Sequence, residues 1–314
     1  MILSPERYSL STLIAAVPAL FSLLLLTCSG IPRMDVSVQG QDRSFFVRLP
    51  YEKQPAPEKK YPLIIQLHGG GGNAEYAESI SQMTGIANER GYIVAYPDGS
   101  GPRISRALKT WNAGQCCGKS MRDNVDDVAF LTGFIDHLIA NYPVDPNRIY
   151  LCGFSNGGMM TYRAARTLAP RLAAIAVVSG AMFGEETIPE SPLPVMIIHG
   201  TADDTVPFEG GESEMDVVQN NMKGEFASVQ FAATFWARNN GCGLTYRSVS
   251  LPEGPTFQKW TFPCPARSPV TVLALVDEGH AWPGGTSGRR NGPKPTTKLS
   301  ASRVILDFFD QNRN

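Results

Sequence analysis

Two alternating stretches stand near the start of the chain, M-D-V-S-V-Q-G at Met34–Gly40 and R-S-F-F-V-R-L-P at Arg43–Pro50. Apolar and polar residues trade places there with a period of two, which predicts an antiparallel hairpin. Beyond it the pattern changes. Short, nearly continuous apolar runs recur at Pro62–Leu67, Tyr92–Tyr96, Arg148–Cys152, Ala174–Val178, Pro194–Ile198 and Val270–Val276, each bounded by turn residues. A strand without a polar face is one covered on both sides, as in a parallel sheet. Helical patterns lie between the runs, at Ala74–Glu89, Val125–Asn141, Ser155–Leu168, Val229–Asn239 and Ala301–Gln311. Pro/Lys-rich Lys53–Lys60 reads as a loop. Strand–helix alternation predicts an α/β fold: one three-layer sandwich with a mostly parallel sheet and an N-terminal antiparallel hairpin. Ligands of such sheets sit at the carboxyl ends of the strands, so the chemistry is sought there.

The first thirty residues are of another kind. Ser9–Leu26 carries no charge and follows Arg7, the pattern of a signal-peptide core or a membrane anchor. The following L-L-T-C-S-G resembles a lipobox ending at Cys28, which would be lipidated; cleavage after Gly30 is the competing expectation. Residues 1–30 are therefore expected to be a signal and 31–314 the functional domain. The expected location is outside the cytoplasm: secreted, periplasmic or anchored as a lipoprotein through Cys28.

Composition narrows the chemistry. The 314 residues are 43% hydrophobic and 18% charged, with net charge −1, which gives no electrostatic case for nucleic acid. No phosphate loop and no metal-type Cys/His clustering occurs, so neither a metal nor a cofactor is expected. An exported chain can hold disulfides. With Cys28 set aside, Cys116, Cys117, Cys152, Cys242 and Cys264 remain, an odd set in which at least one thiol is free or pairs outside the chain.

Four strand ends carry the candidate site: L-H-G-G-G-G-N (Leu67–Asn73), G-F-S-N-G (Gly153–Gly157), H-G-T-A-D-D-T-V-P-F (His199–Phe208) and D-E-G-H-A-W-P-G-G (Asp277–Gly285). G-F-S-N-G fits G-x-S-x-G between a strand and a helix, the setting of a nucleophile elbow, with Ser155 as nucleophile. A serine hydroxyl needs a neighbouring base. Of four histidines, His68 is expected to pack the glycine loop, His137 to lie on a helix surface and His199 to brace a turn, leaving His280 as the base. Asp203 and Asp204 are the candidates to orient it, with Asp277 a more distant third. The chain order Ser–Asp–His is that of α/β-hydrolases. Backbone N–H groups of Asn156 and of Gly70 or Gly71 are the expected oxyanion donors.

Together with T-W-N-A-G-Q-C-C, V-D-D-V-A-F-L and G-F-S-N-G-G-M-M, these motifs resemble secreted esterases of the polyhydroxybutyrate depolymerase and feruloyl esterase type, carbohydrate esterase family 1 of the α/β-hydrolase superfamily. The resemblance runs in register from about Val36 to Phe309. It implies a catalytic set of Ser155, Asp203 and His280, and a disulfide between Cys242 and Cys264. Gly70 stands where many depolymerase-like members carry cysteine, and no substrate-binding segment follows Asn314. Both points favour a soluble feruloyl or acetyl ester, plant-polysaccharide-linked, or a short hydroxyalkanoate ester over crystalline polymer. The rival expectations are a lipase or peptidase on the same residues, and a catalytically silent binding protein. Trp111 and Trp282, on loops beside these segments, are candidates to stack on substrate. Asp126 and Asp127 are expected to cap a helix. Cys152, just before the elbow, is either a small buried hydrophobe or half of a bridge to Cys116 or Cys117.

Overall fold

The alternating N-terminal stretches pair as the pattern requires: β1 (Met34–Val38) runs antiparallel to β2 (Gln41–Arg48). The computed structural model describes residues 33–52, 58–102, 107–252, 254–288 and 292–313. The expected signal segment, Cys28 and most of the Lys53–Lys60 loop lie outside them. The apolar runs become β3 (Tyr61–Leu67), β4 (Ile93–Pro97), β5 (Val144–Phe154), β6 (Ala174–Val178) and β7 (Val195–Gly200). An edge hairpin follows, β8 (Arg247–Leu251) and β9 (Gly254–Thr261), and then β10 (Val270–Leu275). The sequence pattern missed that hairpin, because β8 is largely exposed and offers no apolar run.

The strands form one sheet in the order β1-β2-β4-β3-β5-β6-β7-β10-β9-β8. From β4 to β10 along that order the neighbours are parallel, which is why their side chains are buried on both faces. The chain reverses direction of travel across the sheet between β3 and β5, the switch point at which the loops after those strands splay apart.

The helices are α1 (Ala74–Ser81), α2 (Met83–Glu89), α3 (Gly118–Arg122), α4 (Asp127–Asn141), α5 (Asn156–Leu168), α6 (Asp216–Gln219), α7 (Val229–Asn239) and α8 (Ala301–Gln311). One expected helix, Ala74–Glu89, is two. Gln82 takes a left-handed backbone (φ 54°) and closes α1 with its N–H on the Glu78 carbonyl, at 3.0 Å. Helix α4 starts two residues later than the pattern suggests, where the Asp126 carboxylate accepts from the Ala129 N–H.

Successive side chains of a strand feed opposite cores. Leu63 and Ile65 of β3 meet Phe130, Phe134 and Tyr162 of α4 and α5, whereas Ile64 meets Ile80, Ile305 and Phe309 of α1 and α8. The same alternation decides the cysteines. Cys152 of β5 faces the α1/α8 side and is a free, fully buried thiol whose ionisation burial pushes far up. Cys116 lies in a separate cluster with Met159 and Phe226 and pairs with its neighbour Cys117. No bridge ties the elbow strand to the W-N-A-G loop.

Cys242 and Cys264 are joined, and they tether the end of α7 to the strand hairpin across a separation of 22 residues. Closing a loop of that size restricts the unfolded chain by about 3 kcal/mol. The Cys242→Ser/Cys264→Ser double variant is therefore expected to lose about 3 kcal/mol in urea unfolding, and an unchanged midpoint would contradict this.

Candidate active site

Strand β5 runs into α5 through a single residue. Ser155 has φ 53° and ψ −123°, a conformation that a side chain adopts only under constraint and that costs roughly 1–3 kcal/mol. The turn is crowded on both sides. A β-carbon on Gly157 would lie 2.5 Å from the carbonyl oxygens of Leu67 and His68, and one on Gly153 would lie 2.3 Å from the Gly157 carbonyl oxygen. Only glycine fits at either place. The Ser155 N–H still reaches the Val178 carbonyl of β6 at 2.9 Å, so the serine stays anchored to the sheet while its side chain stands above it.

Asp203 follows β7 and is buried. Its Oδ1 accepts from the N–H groups of Thr205 (3.0 Å) and Val206 (2.8 Å), which fixes the carboxylate plane. Its Oδ2 lies 2.8 Å from His280 Nδ1 and 3.3 Å from His199 Nε2. Burial alone would raise this acid. The charge and hydrogen bonds of His280 and His199 outweigh it and hold the carboxyl well below the usual carboxylate range. His199 also bonds the Val206 carbonyl through Nε2 at 2.8 Å, so it braces the turn, and it touches the carboxylate as well. Asp204 points elsewhere, accepting from the Thr205 hydroxyl, and exposed Asp277 hydrogen-bonds through its N–H to Thr201.

His280 sits on the loop after β10, its ring 4.9 Å from that of Phe154, and lines a cavity of about 340 Å³ together with Ser155, Gly70 and Asp204. With Nδ1 turned to Asp203, Nε2 is the nitrogen left for a reacting group. Ser155, Asp203 and His280 thus converge from the ends of β5, β7 and β10.

The glycine loop after β3 separates its two candidate donors. The Gly71 N–H is committed to the Lys109 carbonyl at 2.8 Å, because Gly72 and Lys109 form a bridge there. Gly71 is therefore withdrawn as a donor. Gly70 has no intramolecular acceptor among the described residues and lies against Asn156, where its β-carbon would be 3.5 Å from that of Asn156. The Asn156 N–H opens α5, so it has no partner within the helix. Its side chain does different work, exchanging hydrogen bonds with the Trp111 N–H (2.8 Å) and carbonyl (2.9 Å).

The two tryptophans are both buried. Trp111 is fully buried, its indole N–H on the His68 carbonyl at 3.1 Å and its ring 5.2 Å from the imidazole. Trp282 is also buried, with its N–H on Ser302. Trp111 is consumed in holding a loop against the sheet, whereas Trp282 also lines the cavity beside His280. Asp127 likewise departs from the capping expectation. It is buried, pairs with Arg43 and accepts from the Asn112 N–H at 2.6 Å. Burial raises Asp127 and lowers Arg43 by more than each partner opposes. Residues that pattern reading did not single out, Tyr76, Phe154 and Met215, complete the cavity wall. The period-two alternation of β5 could have flagged Phe154; Tyr76 and Met215 left no local sign.

Comparison with known proteins finds a family model, curated relatives and solved structures similar to this chain. Residues 119–236 match the family described as Phospholipase/Carboxylesterase. The chain is 29% identical to NocK of Nocardia uniformis subsp. tsuyamanensis, a protein named as an esterase, over 88% of this chain and 81% of that one. It is 36% identical to feruloyl esterase B of Piromyces equi over 59% of this chain, a match that spans 33% of that protein. The solved acetyl xylan esterase from Aspergillus awamori superimposes on 89% of this chain and 99% of its own, with a TM-score of 0.60 at 13% identity, a likeness of fold. The fold is that of the α/β-hydrolases, and the sequence relatives are proteins named as esterases.

His68 gives the site a pH signature. Burial lowers its pKa to about 4, with Nδ1 on the Gly69 carbonyl and Nε2 accepting from the Gly99 N–H, both at 2.8 Å. The unfolded chain binds this proton from about pH 6.5 and the folded chain only near 4. Stability is therefore flat with respect to His68 above pH 6.5 and falls as the pH drops toward 4, by up to about 1.4 kcal/mol per pH unit. His68→Gln should be less stable at pH 7 but should show a shallower acid slope in urea titrations from pH 7 to 4. A slope equal to wild type would refute the assignment.

Proposed function

We propose that this chain is an exported serine esterase working through an acyl-enzyme. The observation that carries the reading is the 2.8 Å contact between His280 Nδ1 and the doubly anchored Asp203 carboxylate, beside a serine on a strained elbow. The Ser155 hydroxyl attacks the ester carbonyl as His280 Nε2 takes its proton. The imidazolium is stabilised by Asp203, which stays ionised. Charge developing on the carbonyl oxygen is met by the N–H groups of Asn156 and Gly70, already fixed at the helix start and in the glycine loop. The alkoxide leaves with the proton from His280, and water, activated by the same imidazole, releases the acid.

Feruloyl or acetyl esters of hydroxylated, plant-polysaccharide-like alcohols are the substrates this reading favours. The relatives named as feruloyl and acetylxylan esterases support it. So does the cavity beside His280, where Asp204, Tyr76 and Thr286 offer polar groups to an alcohol. Export is supported by the Cys242–Cys264 bridge and the uncharged Ser9–Leu26 stretch, with lipidation at Cys28 as its anchored form.

Hydrolysis of p-nitrophenyl acetate is the direct test. Ser155→Ala should abolish it, and Asp203→Asn should lower kcat by about 10³–10⁴-fold while leaving the fold intact by circular dichroism. An inactive wild type, or equal rates in wild type and Ser155→Ala, would overturn the reading. Methyl ferulate, acetylated xylan and hydroxybutyrate oligomers, assayed side by side, rank the substrate classes.

A further inference from the structure

Two cavities open onto Ser155 and share Gly70, Ser155 and Thr205. The one already described contains His280. The second, about 490 Å³, lies on the side of Asn156, and His280 does not line it. A leaving alkoxide has to collect its proton from His280, so the alcohol belongs in the first cavity. With the carbonyl oxygen toward the Asn156 and Gly70 N–H groups, the acyl group is left with the second.

The described linings of the two cavities differ in charge. Among the described lining residues, the first has the Asp204 carboxylate and no lysine or arginine, whereas the second has Lys119 and Arg122 and no carboxylate. Lys119 is offset by an ion pair with Asp123. Arg122 is held by a neutral group: its guanidinium donates to Asn221 Oδ1 at 2.9 Å, and Asn221 is itself fastened through Nδ2 to the Val217 carbonyl at 2.8 Å. Apolar residues also line this cavity: Met159 and Val206 are buried, and Leu108 and Val217 are exposed. Exposed apolar side chains flanking a cleft are the signature of a surface that covers something apolar.

Resting on the esterase reading above, we infer that the Asn156-side cleft takes the acyl group, and that Arg122 selects acyl groups with an apolar stem ending in a carboxylate. Half-esters of dicarboxylic acids are the substrate class that fits. Esters with the carboxylate on the alcohol, such as free hydroxybutyrate dimers, would set that charge beside Asp204.

The test compares matched pairs of esters. One ratio is kcat/KM for monomethyl adipate over methyl hexanoate, with the charge on the acyl side. The other is 4-acetoxybutyrate over butyl acetate, with the charge on the alcohol side. Arg122→Gln should lower the first ratio about fivefold, as expected for one exposed charge contact of ~1 kcal/mol. Arg122→Glu should lower it further, and raising the salt to 1 M should shrink both effects. The second ratio should not fall in either variant. An unchanged first ratio, or a fall confined to the second, overturns this inference while p-nitrophenyl acetate hydrolysis keeps the esterase reading alive. Loss of all ester hydrolysis in wild type would sink that reading, and this one with it.

Discussion

The close approach of the β5–α5 turn to the end of β3 is the constraint on which the rest of the site depends. Gly157 lies so near the Leu67 and His68 carbonyls that α5 can start only here and only at this angle. That contact forces Ser155 out of ordinary backbone space, and the surrounding sheet supplies the stability to hold it there. The same approach puts the first N–H of α5 beside the glycine loop. The strained Ser155 and the N–H groups beside it are therefore consequences of one packing contact between two neighbouring parallel strands.

Behind that contact stands a layer of linked buried polar groups. His68, Trp111, Asn156, Asn112, Asp127 and Arg43 are linked by hydrogen bonds, ring contacts and one ion pair. Each buried polar atom left without a partner would cost about 1–3 kcal/mol, so such a network holds one arrangement and penalises others. It immobilises the W-N-A-G loop against α5. The Asp203 carboxylate is treated the same way on the other flank, held by two backbone N–H groups and contacted by two imidazoles. Preorganisation of this kind is what lets fixed dipoles act on developing charge without reorganising at the moment of reaction.

Much of the fold was legible in the chain. The nearly polar-free strands signalled a parallel sheet, and chemistry-bearing residues stood at four of its carboxyl ends. Helix starts were readable at Ser228 and Ser300, whose side chains cap them. Other features were not. The β8–β9 hairpin lies at an exposed edge and needs no apolar run. Trp111 looked like a binding residue because loop position resembles exposure in a sequence; its burial is a property of what packs above the loop. Gly70 and Gly71 are indistinguishable as letters, and a bridge to Lys109, 38 residues further on, separates their roles.

By itself the sequence determined the sheet type, the elbow and the three residue types that converge on it, because periodicity and glycine spacing are local consequences of backbone geometry. Tertiary structure alone decided which glycine N–H is tied to Lys109, that His199 shares the Asp203 carboxylate, and that the described linings of the cavities flanking Ser155 differ in charge. Those outcomes depend on distances between residues far apart in the chain, and such distances exist only once the strands are side by side.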